Sequence, residues 1–515
     1  MLKLINVANG SSFPCCLHFT ITCSTMQKGC TNISLICKEV KDMLKINWQA
    51  EVEKRKEEIV SDTQEFLRIN SILDDSTITV SQPFGAGIAQ ALEHILTKGE
   101  KFSFFVKNVD GYAGVIEYGQ GEESVGVLCH IDVVPTGEGW TTSPFSAAIR
   151  NNRIYARGAI DNKGPTIAAF WALAIVKELK LPIHKRIRMI LGTDEESNWR
   201  CVDHYFKHEE MPTIGFAPDA DFPIIHAEKG ITDVSLVWNA RDDKDNQKIK
   251  VLQFKAGDRF NMVPDQAEVV ITGDEKLLKE MKDQFTHFLV GQNHKGTTRL
   301  NGNSLQIVYE GISAHGSTPE KGVNAGLFLT QFLATYSFQS TANHFFQFVE
   351  KYSDFTGEAL GIAVQDDASG KLSMNIGKLT FSENGEAEVG LNIRYPVTAS
   401  GEECLTTLKE VAGSNHAQML VHDHMKPNYV EKDHPLIQTL QDVYERQTGE
   451  EPTLLAIGGG TYARSLKTGV AFGPMFPGRE DVAHKKDECI DIDDLLRMTA
   501  LYAEAMYELA KEASQ

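Results

Sequence analysis

The sequence predicts an α/β protein: a mixed sheet covered by helices and interrupted by an α+β lid. Three observations predict it. Apolar runs of strand length, SFFVKNV (103–109), AGVIEYG (113–119), ESVGVLCHID (123–132) and RIRMILGT (186–193), alternate with helix-length segments. Such alternation marks a sheet buried on both faces. After about residue 230 the texture changes to long alternating strands, and from about 425 the first style returns.

Taken in order, 48–69 and 83–98 read as helices, and the strand at 123–132 carries an apolar run at 125–129. A helix over 165–180 follows Gly164-Pro165, with proline at a position where it is pre-organised for helix. Its segment IAAFWALAIV (167–176) is apolar all round, which predicts a buried helix. RIRMILGT leads to a helix at 198–208, and IGFAPDA (214–220) and PIIHAEKG (223–230) close the first part. Segments 234–257 and 266–289 read as strands followed by an exposed helix, and 372–397 as a hairpin turning at Asn384-Gly385. The last part holds a helix at 435–448, the turn AIGGGTYAR (456–464) and a helix at 493–511. The expected organisation is 43–229 and 425–515 as one α/β domain, split by a lid over 230–424, with 1–42 standing apart. No internal repeat of solenoid period is present.

A chain of 515 residues is too long for one ordinary core. Its 42% hydrophobic and 23% charged content is that of a globular protein. The net charge of -19, with no cluster of Lys and Arg, argues against a nucleic-acid partner. No apolar run reaches the ~18 residues of a membrane-spanning helix. Of nine cysteines, five lie at 15, 16, 23, 30 and 37; Cys129, Cys201, Cys404 and Cys489 are scattered without a CxxC pair. In a chain this size that pattern predicts core thiols in a reducing cytoplasm. Residues 1–42 lack a signal-peptide layout, being interrupted by Pro14, His18 and several threonines. An amphipathic helix opens after Met43, so 1–42 is expected to be a non-native or disordered extension.

Several polar residues cluster at predicted strand ends. LCHIDVVP places His130 and Asp132 two apart, where Asp132 can accept from the outer imidazole nitrogen; alone, such a pair also fits a surface contact. Asp161 in RGAIDNKGP sits between strand and helix and can bind a cation or cap the helix. Asp219 in PDADFP follows another strand, in what also reads as an Asp/Pro turn. GTDEESNW (192–199) brings Asp194, Glu195 and Glu196 to the end of a buried strand. Neighbours in a straight strand point to opposite faces. For both glutamates to serve one site, the strand must end near Thr193, with the pair on a turn capped by Ser197. Carboxyl ends of α/β strands are where ligands bind, and two histidines' worth of imidazole, several carboxylates and a spare glutamate point to a hydrolytic centre of two metal ions.

The order HID, GAIDNKGP, GTDEES, PDADFP, SAHGS, AHKKDE resembles the M20 family of two-metal peptidases. Within it, the chain is most similar to the PepV-like (Sapep-type) bacterial dipeptidases, from Met43 to the C-terminus. The resemblance implies a two-metal exopeptidase-type catalytic domain binding two divalent ions per chain, Zn2+ or Mn2+. His130, Asp161 and Asp219 would hold one ion and Asp161, Glu196 and His484 the other, with Asp161 bridging. Glu195 would be the general base, Asp132 the partner of His130, and His315 on the GISAHGSTPEKG turn the oxyanion donor. Asn261, Arg394 and the turn Gly459, Gly460, Thr461 would grip the substrate. A cis peptide is implied at Asp161–Asn162. The implied activity is hydrolysis of unblocked dipeptides by a metal-activated water, in a cytoplasmic monomer whose long lid supplies His315 within one chain. An N-acyl amino acid deacylase or desuccinylase is the alternative, and a catalytically silent binding protein a more distant one.

Overall fold

The computed structural model describes residues 46–239, 247–292 and 294–511. The expectations for 1–42, with their five cysteines, lie outside the described residues. From Trp48 onward two large sheets are built. The first has nine strands, ordered Phe105–Val109, Ala113–Tyr118, Arg186–Gly192, Ser124–His130, Ile214–Ala217, Gly469–Ala471, Ile224–Glu228 and Asn428–Tyr429, with Leu454–Ile457 also pairing Ile224–Glu228. Its centre is parallel, from Arg186–Gly192 through Gly469–Ala471, and its margins are mixed.

The helix Lys163–Glu178 is buried from Lys163 to Val176, as its all-round apolar sequence requires. It packs beside the closing helix Ile492–Ala510, and both lie against Ser124–His130 and Arg186–Gly192. Cys201 and Tyr205 of the helix Arg200–His208 join Leu128, Ile190, Ala217 and Tyr462 in another apolar cluster. Cys129, Cys201 and Cys404 are free and buried, in keeping with small core residues.

The second sheet has eight antiparallel strands, all between Gly230 and Met425. Helices Ala325–Leu333, Ser340–Lys351 and Gly401–Ser414 help cover it, over a core that includes Phe254, Phe285, Phe345, Phe346 and Phe381. The Asn384-Gly385 hairpin forms as predicted, joining Ser373–Ser382 to Ala387–Tyr395 with Gly385 at φ 82°. The chain passes between the sheets at Lys229 and again after Met425.

Three predicted elements are corrected. The helix expected over 48–69 is two, Trp48–Glu53 and Lys56–Leu67, broken where Arg55 (φ -115°) turns its guanidinium back onto the Glu51 carbonyl and across to Glu178. The helix expected from 83 starts at Ala86, because Gly85 at φ 98° lies outside helical space. The helix expected from 198 starts at Arg200, because Trp199 stands at φ 57°. Among the described residues no helix is long and apolar enough to cross a membrane.

Candidate active site

The parallel centre of the first sheet brings three chain segments to one edge. His130 ends its strand level with Gly192, and Asp219 follows Ala217 by two residues. Asp161 comes from the loop before Lys163–Glu178. His484 is brought to it by a small separate sheet, in which Cys489, Ile490 and Asp491 pair with Tyr155, Ile154 and Arg153. Glu488 locks the two loops together. Its buried carboxylate accepts from Arg157 Nη1 (2.7 Å) and from the backbone N–H groups of Gly158, Ile160 and Asp161 (2.9–3.2 Å). Burial, then the Asp161 charge, pushes that carboxyl up to about 7.

Asp161 is shared between two histidines. Its Oδ1 lies 2.9 Å from His130 Nε2 and its Oδ2 3.0 Å from His484 Nε2. Asp219 Oδ1 is 3.3 Å from the same His130 nitrogen, and Glu196 Oε2 is 3.1 Å from His484. His130 is fully buried; His484, at φ 62°, is half exposed. Hydrogen bonding from Asp161 and then Glu196 raises His484 to about 10. The peptide Asp161–Asn162 is cis. Asp161 does not cap the helix after it, whose cap residue, Asn162, makes no side-chain capping bond. The Asn162 amide instead donates to the Pro218 carbonyl and to Asp219 (3.3 Å).

The strand before the acidic triplet ends at Gly192, and the two glutamates stand on the turn that follows. Asp132 holds this turn, accepting the N–H of Glu195 at Oδ1 (3.2 Å) and that of Glu196 at Oδ2 (3.0 Å). Asp132 also meets the outer nitrogen of His130, more closely through its backbone than through its carboxylate. The imidazole Nδ1 meets the Asp132 backbone carbonyl at 3.1 Å and the carboxylate only at 3.5 Å. The strand stops at His130, so the two-residue period no longer aligns the pair. Ser197 does not cap the helix. Asp194 does, its buried carboxylate accepting from the Arg200 N–H (3.0 Å), Nε (2.8 Å) and Nη2 (2.9 Å).

Glu195 is distinctive in the cluster. Its carboxyl makes no side-chain hydrogen bond to a described residue, while Asp161, Glu196 and Asp219 each meet a histidine. Burial, then the Asp219 charge, holds it well above the ordinary carboxylate range. Two imidazoles and four carboxyls converging in a buried place carry a surplus of negative charge. Such a donor set fits two divalent cations sharing Asp161.

The lid residues form a second group. His315 bridges to Met262, and Gly316 N–H donates to the Asn261 carbonyl (2.7 Å). His315 Nδ1 is 2.7 Å from Ser317 Oγ, and partial burial, then the Arg394 charge, lowers its pKa. Arg394 donates through Nε to Asn392 (2.9 Å) and through Nη1 to the Gly458 carbonyl, one residue before Gly459 and Gly460. Burial lowers its guanidinium to about 10. Both donors of Thr461 are committed inside the fold: its N–H (2.8 Å) and hydroxyl (2.9 Å) donate to buried Glu228, which also accepts from Arg464 Nε (3.1 Å). Among the described residues no hydrogen bond or ion pair joins His315 to the His130–His484 cluster. Glu228 and Glu488 were given no role from the sequence, and Asp194 none beyond its place in the acidic triplet; an acid within a quoted segment was the only signal.

An edge of imidazoles around a shared carboxylate at the ends of parallel strands defines a class. The chain belongs to peptidase family M20/M25/M40, whose profile matches residues 126–508. A relative from Bacillus subtilis (strain 168), named "Putative dipeptidase YtjP", is 53% identical over 470 residues, which is 90% of this chain and 100% of that protein. One from Staphylococcus epidermidis, named "Putative dipeptidase", is 41% identical over 468 residues with the same coverage. Among solved structures, the aminoacylhistidine dipeptidase from Vibrio alginolyticus shares the fold, with TM-score 0.55 at 17% identity over 88% of this chain and 97% of that one.

Proposed function

We propose that the chain is a metal-dependent dipeptidase that hydrolyses unblocked dipeptides, with Glu195 as general base. The observation that supports this most is the contrast within the cluster: every carboxyl but Glu195 is engaged by an imidazole, and Glu195 stands beside them. His130, Asp161 and Asp219 would hold one divalent ion and Asp161, Glu196 and His484 a second, as Zn2+ or Mn2+. When bound, such ions polarise the scissile carbonyl and lower the pKa of water.

The chain's own residues do the rest. Asp132 fixes the turn through the N–H groups of Glu195 and Glu196, so the base and the neighbouring ligand point from one rigid backbone. Glu195 takes the proton of the attacking water at a carboxylate oxygen and passes it to the leaving amine. His315 donates to the oxyanion, and Arg394, held through Nε by Asn392 and through Nη1 by the Gly458 carbonyl, offers Nη2 to the substrate carboxylate. We take a monomer as the working form, in which the lid over 230–424 would supply His315 to its own chain.

The test is Glu195→Ala with a substrate panel. The variant should keep its metal content and lose turnover by ~10²–10⁴-fold on free dipeptides. Near wild-type turnover would remove Glu195 from the mechanism, and faster cleavage of N-acetyl or N-succinyl amino acids by the wild type would replace the dipeptidase reading. A sedimentation result showing an obligate dimer would overturn the monomer.

A further inference from the structure

We propose that Asp110, His204 and His208 form a further divalent-metal site, separate from the His130–His484 cluster and suited to a borderline transition ion such as Zn2+. His204 and His208 lie four apart on the helix Arg200–His208, so their side chains stand one above the other on its surface. Asp110 faces them from the turn between Phe105–Val109 and Ala113–Tyr118. The His204 Nε2 to Asp110 Oδ2 distance is 2.9 Å, and one ligand atom from each of the three residues lies within 4.8 Å of the others.

The protonation pattern prepares the site. His208 Nδ1 lies 2.8 Å from the His204 backbone carbonyl, which can only accept. That nitrogen therefore carries the proton, and the neutral ring presents its Nε2 lone pair outward, as a metal-ligating imidazole does. The rings are held as a stack: Tyr112 on His204 at 4.2 Å and His204 on His208 at 4.2 Å between centroids. With bonds of ~2.0–2.2 Å, tetrahedral ligands stand roughly 3.3–3.6 Å apart. A separation at that 4.8 Å limit would have to close by at most about 1.2–1.5 Å. Closing it requires His208 to tilt out of the stack and the exposed Asp110 side chain to turn towards both rings. Two imidazoles and one carboxylate favour Zn2+, Ni2+ or Cu2+ over Mg2+ or Ca2+.

An ion here would tie the 110–111 turn to the helix that leaves the acidic turn. The acidic turn already touches both segments: the Thr193 hydroxyl donates to the Tyr112 carbonyl (2.5 Å), and Asp194 accepts from Arg200 on the helix. The proposal does not depend on the peptidase reading.

The test is calorimetric titration of the protein, already loaded with two zinc ions, with further Zn2+. The wild type should bind one more equivalent, and His208→Gln and Asp110→Asn should each weaken that event at least tenfold while retaining the first two ions. The two substitutions act from different elements and both side chains are exposed, so a folding defect common to both is not expected; circular dichroism checks each. No additional event in the wild type, or an equal one in both variants, overturns the proposal.

Discussion

Replacing Glu228 tests whether the glycine-rich turn is positioned from beneath. Glu228 is fully buried. One carboxylate oxygen accepts from the Thr461 hydroxyl (2.9 Å) and the Asn428 amide (3.2 Å), the other from the Thr461 N–H (2.8 Å) and Arg464 Nε (3.1 Å). The Arg464 side chain is itself only 7% exposed. In Glu228→Ala that guanidinium loses its counter-charge, and breaking a buried pair from one side costs ~3–5 kcal/mol. Glu228→Gln can retain Arg464 and the Thr461 N–H on its oxygen, but its NH2 then meets the Asn428 amide, which is committed to the Gly469 carbonyl (3.0 Å). Loss of one charge-assisted bond of ~1.5–3 kcal/mol is the expected cost. Urea unfolding followed by tryptophan fluorescence measures both, since Trp140, Trp171 and Trp199 all report on the part containing the first sheet. The expected order of stability is wild type, Gln, Ala. Because Gly458 receives Arg394, KM should rise in both variants with metal content unchanged. A Glu228→Ala protein within about 1 kcal/mol of wild type, well under the cost of a broken buried pair, would refute the reasoning.

Other outcomes follow from the same geometry. Arg394→Lys keeps the charge and loses the fork that reaches Asn392 and Gly458, so KM should rise by at least ~10-fold in steady-state kinetics; an unchanged KM counts against carboxylate binding there. Asp194→Ala removes the cap of Arg200–His208, and thermal unfolding should show a loss of ~1 kcal/mol together with reduced kcat. Metal loading of chelator-treated protein at neutral pH should release protons from both raised imidazoles, and His484→Ala should lower the release, read by calorimetry in two buffers, by about one; an unchanged release would place His484 outside the ligand set. In the metal-free protein the raised His484 pKa contributes stability below its ordinary value of 6.5, lost as pH rises through about 10. Chelator-treated protein should therefore weaken across that window in pH-dependent urea titrations.

The sequence by itself determined the alternation of strands and helices, the buried helix at 167–176, the Asn384-Gly385 hairpin and the end of the strand before the two glutamates. These are local matters: periodicity, turn chemistry and the opposite facing of strand neighbours decide them. It also carried, through motif order, the residues that meet at His130, Asp161 and Asp219. Only the tertiary structure decided how His484 arrives, because a three-residue pairing with Arg153–Tyr155 and the Glu488 clamp act across more than 300 residues of chain. It alone decided that Asp194 and not Ser197 caps the helix, since Trp199 at φ 57° moves the helix start beyond the reach of local pattern. It turned Thr461 inward as well, because buried Glu228 needs donors wherever the fold brings them. Buried carboxylates choose partners by proximity in space, and a linear sequence does not record which donors folding will place around them.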